Sequence, residues 1–251
     1  MAPPLMAIVL AAGKGTRMKS ELPKVLFPVL GRPMIDYVLD ALESVPVART
    51  VVVVGYRADQ VRAALSGREG IEFAEQTEQL GTGHAVMMCR EQLREHDGPV
   101  LVVTGDSPLI QVASVRRLLE HFTRHQMTCL LGTLTTDDPT GLGRIVRDAS
   151  GHFQRIVEEK DADAEERAIR EVNMSTYLFD AKRLLWALDH LTAENRQREY
   201  YVTDCPGILL AAGDPVDALA VLQPCEALSI NRVEDIPAVE AALRRQTDSA
   251  C

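Results

Sequence analysis

No stretch of this 251-residue chain approaches eighteen uninterrupted apolar residues, which excludes a transmembrane helix. The first ten residues lack the basic segment of a signal peptide, so the chain is expected to enter its first strand directly. The five cysteines (Cys89, Cys129, Cys205, Cys225 and Cys251) are odd in number, scattered and without a CxxC pair. That spacing argues against a zinc knuckle and against a disulfide framework, and reads as reduced thiols in a cytoplasmic protein. The histidines form no HExxH pattern. Basic charge is not in excess either. With 27 basic and 36 acidic side chains the net charge is −9, which argues against a non-specific nucleic-acid binder but leaves room for one basic cleft. No Gly/Ser-rich linker, low-complexity tract or internal repeat divides the chain.

Apolar runs and amphipathic stretches alternate instead. Leu5 to Leu10 reads as a buried strand, and Met34, Ile35, Val38, Leu39 and Leu42 recur at helical spacing. Thr50 to Gly55 holds four consecutive valines, the mark of a strand buried on both faces of a parallel sheet. Val61 and Leu65 predict a short helix, and Ile71 to Ala74 a strand. A helix over 83–95, a strand over 100–104 and a helix over 112–125 follow. This rhythm predicts an α/β fold, a doubly wound, mostly parallel Rossmann-like sheet.

Past Thr128 to Leu134 the pattern changes. Short strands at 145–147 and 153–157 flank the turn Asp148-Ala149-Ser150-Gly151. An acidic helix over 162–168, a strand over 172–179 and a helix over 181–191 capped by Asp180 come next. The expectation is one domain over 1–251, with a nucleotide-binding lobe at 1–134 and a smaller α+β lobe at 135–251.

The first strand runs into Leu10-Ala11-Ala12-Gly13-Lys14-Gly15-Thr16-Arg17-Met18, followed by Leu22-Pro23-Lys24. Gly13 and Gly15 leave the backbone bare for phosphate oxygens, and Lys14, Arg17 and Lys24 surround the loop with cations. The dinucleotide fingerprint would need a glycine where Met18 stands, and the P-loop would need four residues between its glycines. An ordinary strand-to-helix turn is the plainer alternative.

In open α/β sheets ligands sit beyond the carboxyl ends of the strands. Glu75 to His84 follows the third strand, and Gly105-Asp106-Ser107-Pro108 follows the fourth. Asp106 suits a Mg²⁺ ion held against a triphosphate, or equally a turn aspartate. Gln76 offers both a donor and an acceptor to a pyrimidine edge, or is simply a loop glutamine. Gly81-Thr82-Gly83 opens a helix that could receive an anion or a base carbonyl.

Together these segments resemble the sugar nucleotidyltransferases, and within them the uridylyltransferase half of the N-acetylglucosamine-1-phosphate uridyltransferases. The resemblance covers essentially the whole chain: LAAGKGTRM with LPKVL, AEQTEQLGTGHA, GDSPLI, DPTGLGRIVRD, IVEEKDA, EVN, EYYVTD, and Asn231. It implies a GT-A-type fold. It also implies an in-line attack of a sugar-1-phosphate oxygen on the α-phosphorus of UTP, with no covalent enzyme intermediate. By resemblance Ala11, Ala12, Gly13, Gly15, Gln76, Gly81 and Thr82 hold the nucleotide. Arg17 and Lys24 grip phosphates, and Asp106 and Asn231 hold Mg²⁺. Gly143, Glu158, Asn173 and Thr203 face the sugar, which makes the second lobe mainly sugar-binding. The resemblance implies UDP-N-acetylglucosamine, a peptidoglycan precursor, as the product.

Two departures bear on the sugar. Met174-Ser175 stands where the family carries Thr-Gly, and Arg198-Glu199 where it carries Gly-Glu. A different sugar-1-phosphate is therefore the nearest alternative, and a non-catalytic nucleotide-binding homologue a more distant one. No hexapeptide period like that of the family's acetyltransferase β-helix follows Asn231 in these residues, which are either a stand-alone uridylyltransferase or one domain of a longer protein. The expectation is no acetyltransferase activity and no obligate trimer, but a monomer or weak homo-oligomer. Its partners would be UTP and N-acetylglucosamine-1-phosphate, with neither nucleic acid nor membrane.

Overall fold

Val51, Val52, Val53 and Val54 are all 0% exposed, as four valines in a row require when a strand is covered on both faces. They end a central strand of the computed structural model, which describes residues 4–249. The strands are β1 (Leu5–Ala11), the two-residue β2 (Pro28–Val29) and β3 (Arg32–Pro33), β4 (Val47–Val54), β5 (Ile71–Glu75) and β6 (Pro99–Thr104). Then come β7 (Cys129–Thr135), β8 (Gly143–Arg147), β9 (Phe153–Val157), β10 (Glu171–Asp180) and β11 (Val216–Ala220). Nine of these form one sheet in the order β11-β7-β10-β6-β1-β4-β5, with β8 and β9 extending from β10.

The sheet is mostly parallel. Strand β1 pairs in parallel with both β4 and β6, β4 with β5, and β11 with β7. Strand β10 runs antiparallel between β6 and β7, so residues of the second half complete the sheet begun by the first. The chain leaves β1 toward β5 on one side and returns to β6 on the other. That reversal opens a crevice at the carboxyl ends of β1 and β6, where doubly wound sheets bind ligands.

The pleat divides the core. Leu5, Ala7 and Val9 of β1 pack with α1 (Met34–Glu43), α2 (Ala58–Ala64) and α5 (Val112–Arg124). Met6 and Ile8 face the opposite way, toward α3 (Thr82–Met87), α4 (Arg90–Arg94), α7 (Ala181–Asp189) and α8 (Cys205–Ala211). The short α6 (Ala164–Arg167) is closed by a reciprocal Asp163–Glu166 capping box. Helix α9 (Ile236–Ser249) lies over a separate apolar cluster, in which Val239 and Ala242 meet Met18, Val29, Met34, Leu109 and Ile230.

Several elements differ from the sequence reading. The helix expected over 83–95 is two, α3 and α4. The N–H groups of Met88 and Cys89 reach back three residues instead of four, to Ala85 and Val86, which tightens the ladder and breaks it. The strand-like stretch at 227–230 has no sheet partner among the described residues. Pro224–Ala227 is a 3₁₀ turn, and Ile230 is 0% exposed because it drops into the cluster under α9. Strand β11, helix α8 and the β2–β3 hairpin were not anticipated. The 148–151 turn forms as read, with Gly151 at φ 86° and Asp148 and His152 joined by a backbone hydrogen bond of 2.9 Å.

Candidate active site

Strand β1 ends at Ala11, and the next residues cannot continue it because β4 stops alongside at Val54. The loop that follows makes no backbone hydrogen bond through the N–H groups of Gly13, Lys14 or Gly15. Gly15 sits at φ 64°, and a Cβ on Gly13 would meet nothing within 4 Å. Three adjacent N–H groups thus have no backbone acceptor among the described residues, an arrangement that can receive phosphate oxygens.

This loop forms one wall of a cleft of about 270 Å³. Of the residues read from the sequence, Ala11, Ala12, Gly13, Gly15, Lys24, Gln76, Gly81, Thr82 and Asp106 all line it. They come from the ends of β1, β5 and β6, from the turn at Lys24–Leu26 and from the start of α3. Gln76 is only 3% exposed. Its amide nitrogen donates to the carbonyl of Gly81 at 3.0 Å and lies 3.1 Å from His84 Nδ1, which fixes the side chain against the helix. Gly81, at φ 108°, could carry no side chain, since a Cβ would lie 2.5 Å from the Tyr200 carbonyl oxygen.

At the floor of the cleft Lys24 joins two residues far apart in sequence. Its Nζ donates to Asp106 Oδ2 at 2.5 Å and to Asn231 Oδ1 at 3.0 Å. The lysine side chain is 13% exposed and the aspartate 26%. Asn231 is held on its own side by an N–H bond to Asp235 (2.8 Å) and by Nδ2 to Ser229 Oγ (2.9 Å). Upstream, the buried Glu226 carboxylate accepts from the N–H groups of Gln111 and Gln223 and from Ser114 Oγ, pinning this segment to the start of α5. Burial pushes the Glu226 carboxyl above the usual range.

Arg17 is not among the residues lining this cleft. Its Nη2 donates to the same Asn231 Oδ1 at 2.8 Å, and it lines a second cavity of about 670 Å³.

The remaining four residues gather in the second half. Thr203 Oγ1 donates to Glu158 Oε1 at 3.0 Å, and Gly143 pairs with Asn173 across β8 and β10. A Cβ on Gly143 would press on Ile156 Cγ2 at 3.1 Å and stand at ordinary contact distance from Asn173 Cβ (3.5 Å) and Glu158 Oε1 (3.6 Å). Burial raises the Glu158 carboxyl; the Thr203 bond works against this and the nearby Asp204 and Asp161 add to it. Asn173 Nδ2 donates to Tyr177 Oη at 2.6 Å, and its Oδ1 accepts from the N–H of Ser175. This cluster is tied to the cleft through the Thr82 hydroxyl, which accepts from the N–H of Val202 at 3.1 Å, and through Gly83 N–H to the Tyr200 carbonyl at 2.7 Å.

Residues 7–201 match the MobA-like NTP transferase domain. The chain belongs to that family. This NTP transferase is 45% identical over 240 residues to the bifunctional protein GlmU of Streptococcus suis, covering 96% of the chain and 52% of that protein. It is 47% identical over 241 residues to the bifunctional protein GlmU of Heliobacterium modesticaldum, covering 95% and 52%. The chain thus spans about half the length of the curated relatives it matches. Among solved structures, a UDP-glucose pyrophosphorylase complexed with UDP-glucose matches with a TM-score of 0.78 at 14% identity, covering 97% of this chain and 99% of that one. HddC from Yersinia pseudotuberculosis matches at 0.69 with 20% identity, covering 95% and 99%. At such identities the likeness is one of fold, and the fold is that of a nucleotidyltransferase.

Several contributors to the site of this NTP transferase were not singled out from the sequence. Gln79 and Glu199, which line the cleft, sit unremarked inside the AEQTEQLGTGHA and EYYVTD segments, and Tyr177 and Ser229 brace Asn173 and Asn231. They are ordinary polar residues until the fold sets them beside a ligand-facing neighbour. The two departures from the family pattern share one feature. Ser175 has φ 52° and Arg198 φ 55°, so each occupies the left-handed region that glycine adopts without cost. Ser175 lies in the β10 irregularity between Asn173 and Thr176.

Proposed function

We propose that the chain is a uridylyltransferase that makes UDP-N-acetylglucosamine and pyrophosphate from UTP and N-acetylglucosamine-1-phosphate. The observation that carries this reading is Lys24 bridging Asp106 and Asn231 at the floor of the cleft, beside three backbone N–H groups without partners. Gln76 and Gly81 suit the uracil edge, and Ala11, Ala12, Gly13 and Gly15 the rest of the nucleoside and its phosphates. Gly143, Glu158, Asn173 and Thr203 suit the sugar, with donors and acceptors for hydroxyls and an acetamide.

The chemistry needs no enzyme nucleophile. Positioning the two substrates in line, with fixed cations around the phosphates, lowers the barrier by orientation and by neutralising charge that moves to the leaving group. Lys24 and Arg17 supply fixed positive charge. Asp106 and Asn231 suit Mg²⁺: both offer hard oxygen donors, and both reach one point, Lys24 Nζ, within 3.0 Å. No group of three or more acidic, histidine or cysteine ligands exists among the described residues, which fits an ion that takes its other ligands from phosphates and water. When bound, such a cation neutralises charge on the α-phosphate and on the incoming sugar phosphate.

Ser175, at φ 52° in the strand irregularity beside Asn173, is the departure that favours the second reading, a related enzyme with a different sugar-1-phosphate acceptor. On either reading the protein acts in the cytoplasm as a monomer or weak homo-oligomer. No helix of the described residues is long and apolar enough to cross a membrane. The test is Mg²⁺-dependent pyrophosphate release across UTP, dTTP, CTP and GTP, each paired with several sugar-1-phosphates. Release confined to UTP with N-acetylglucosamine-1-phosphate is the expected result. Release with UTP and only another sugar would reassign the acceptor, and none from folded protein would remove the catalytic reading.

A further inference from the structure

Gln76 is held at every polar atom but one. Its backbone N–H donates to the Val54 carbonyl at 2.8 Å, and its own carbonyl accepts from Gln79 Nε2 at 3.2 Å. Its side-chain Nε2 stands 3.0 Å from the Gly81 carbonyl oxygen and 3.1 Å from His84 Nδ1. The Gly81 contact settles which end of the amide is which, because an oxygen there would face a second oxygen with no hydrogen between them. With Nε2 so assigned, His84 Nδ1 faces an N–H and can only accept. The imidazole therefore carries a single hydrogen, on its own Nε2. Both hydrogens of the Gln76 amide are then used, one on Gly81 and one on His84. Oε1 is left over. It has no hydrogen-bond partner among the described residues, although Gln76 is 3% exposed and lines the cleft.

We propose that His84 is a positioning residue for base selection: by taking the second N–H of Gln76, it leaves the cleft a fixed acceptor at that point and no free donor. The inference rests on the uridylyltransferase reading above, in which Gln76 meets the base. Uracil carries an N–H at ring position 3, and the same position of cytosine is a bare acceptor. A uracil N3–H gives Oε1 the hydrogen bond it lacks. Cytosine sets one lone pair against another in a nearly buried place, unless the amide turns over and gives up its bonds to both Gly81 and His84. The imidazole is itself placed by the second half of the chain. Its ring centroid lies 6.4 Å from that of Tyr200, and Tyr200 is tied to the same turn by its N–H to the Leu80 carbonyl (2.8 Å) and by Gly83 N–H to its own carbonyl (2.7 Å).

The test compares His84→Leu, which offers no acceptor, with His84→Asn, whose Oδ1 can stand in for Nδ1; melting temperature is the check on folding. The readout is kcat/KM for UTP relative to CTP, with whichever sugar-1-phosphate the parent uses. His84→Leu should lower this ratio about three- to tenfold, the worth of one hydrogen bond that no longer resists turning of the amide. His84→Asn should stay within about twofold of the parent, and the KM for the sugar phosphate should move less than about twofold in both. An unchanged ratio in the leucine variant overturns the proposal. So does an equal fall in both variants, which a general loosening of α3 would give. His84→Ala replaces the leucine variant if that one does not fold. Should the parent catalyse no transfer with any pair, the uridylyltransferase reading fails separately. Calorimetric titration with UTP and with CTP then decides: a UTP preference reduced by His84→Leu and kept by His84→Asn supports the role of His84, and any other pattern removes it.

Discussion

A Cβ built on Gly15 would stand 2.7 Å from Lys24 Cβ. The second glycine of the loop after β1 is thus needed twice, once for its left-handed backbone and once because the lysine stem lies directly across it. Gly15→Ala should therefore move Lys24 away from Asp106 and Asn231. We expect a fall in turnover of about tenfold or more, with a loss of stability of ~1–2 kcal/mol from the left-handed alanine. Steady-state kinetics together with chemical denaturation measure both, and full activity in Gly15→Ala would detach Lys24 from the chemistry.

Asp106→Ala removes one of the two oxygen donors at the cleft floor. Turnover should drop by ~10²–10³, the usual cost of losing preorganised charge stabilisation. Stability should change by less than about 1 kcal/mol, since the Lys24–Asp106 pair is partly open to solvent. A variant with normal Mg²⁺-dependent rates would place Asp106 outside the site.

Arg198→Gly should stabilise the fold by roughly 0.5 kcal/mol. Relief of the left-handed strain at φ 55° outweighs the extra freedom that glycine gives the unfolded chain. Ser175→Gly should behave alike, and its KM for the sugar phosphate reports whether the serine shapes the acceptor pocket. Urea midpoints of both variants check the sign.

Burial, with Asp161 nearby, raises the Asp204 carboxyl to about 6. An unfolded aspartate titrates near ~4, so between these values the native state binds more protons than the unfolded one. Stability from this group is therefore highest below the unfolded value and is lost as pH rises through about 6. Asp204→Asn should melt higher than the parent at pH 7, by roughly 2–4 °C after allowance for solvent screening, and equally with it near pH 4. Parallel melting curves at both pH values would refute the assignment.

The local part of the site was readable because it depends on short-range chemistry. A buried strand followed by Gly13-Lys14-Gly15, and an aspartate two residues past the end of β6, state their geometry within a few positions. The four valines of β4 did the same for a doubly covered strand. Gln79 and Glu199 belong to segments marked by the resemblance but were not singled out within them, since neighbouring polar loop positions look alike until the Tyr200 segment is packed against Gly81.

The sequence by itself determined the α/β rhythm, the glycine loop, the turn at Asp148–Gly151 and the family resemblance, all written in patterns a few residues long. Tertiary structure alone decided the rest. Strand β11 has only one weakly apolar turn of chain to announce it, and it becomes a strand because β7 offers an open edge more than eighty residues earlier. Asn231 meets Lys24 across 207 positions only because Ile230 and Met18 drop into the same apolar cluster under α9. Burial of separated apolar side chains brings those polar neighbours together, and no local pattern records which distant partner that burial will choose.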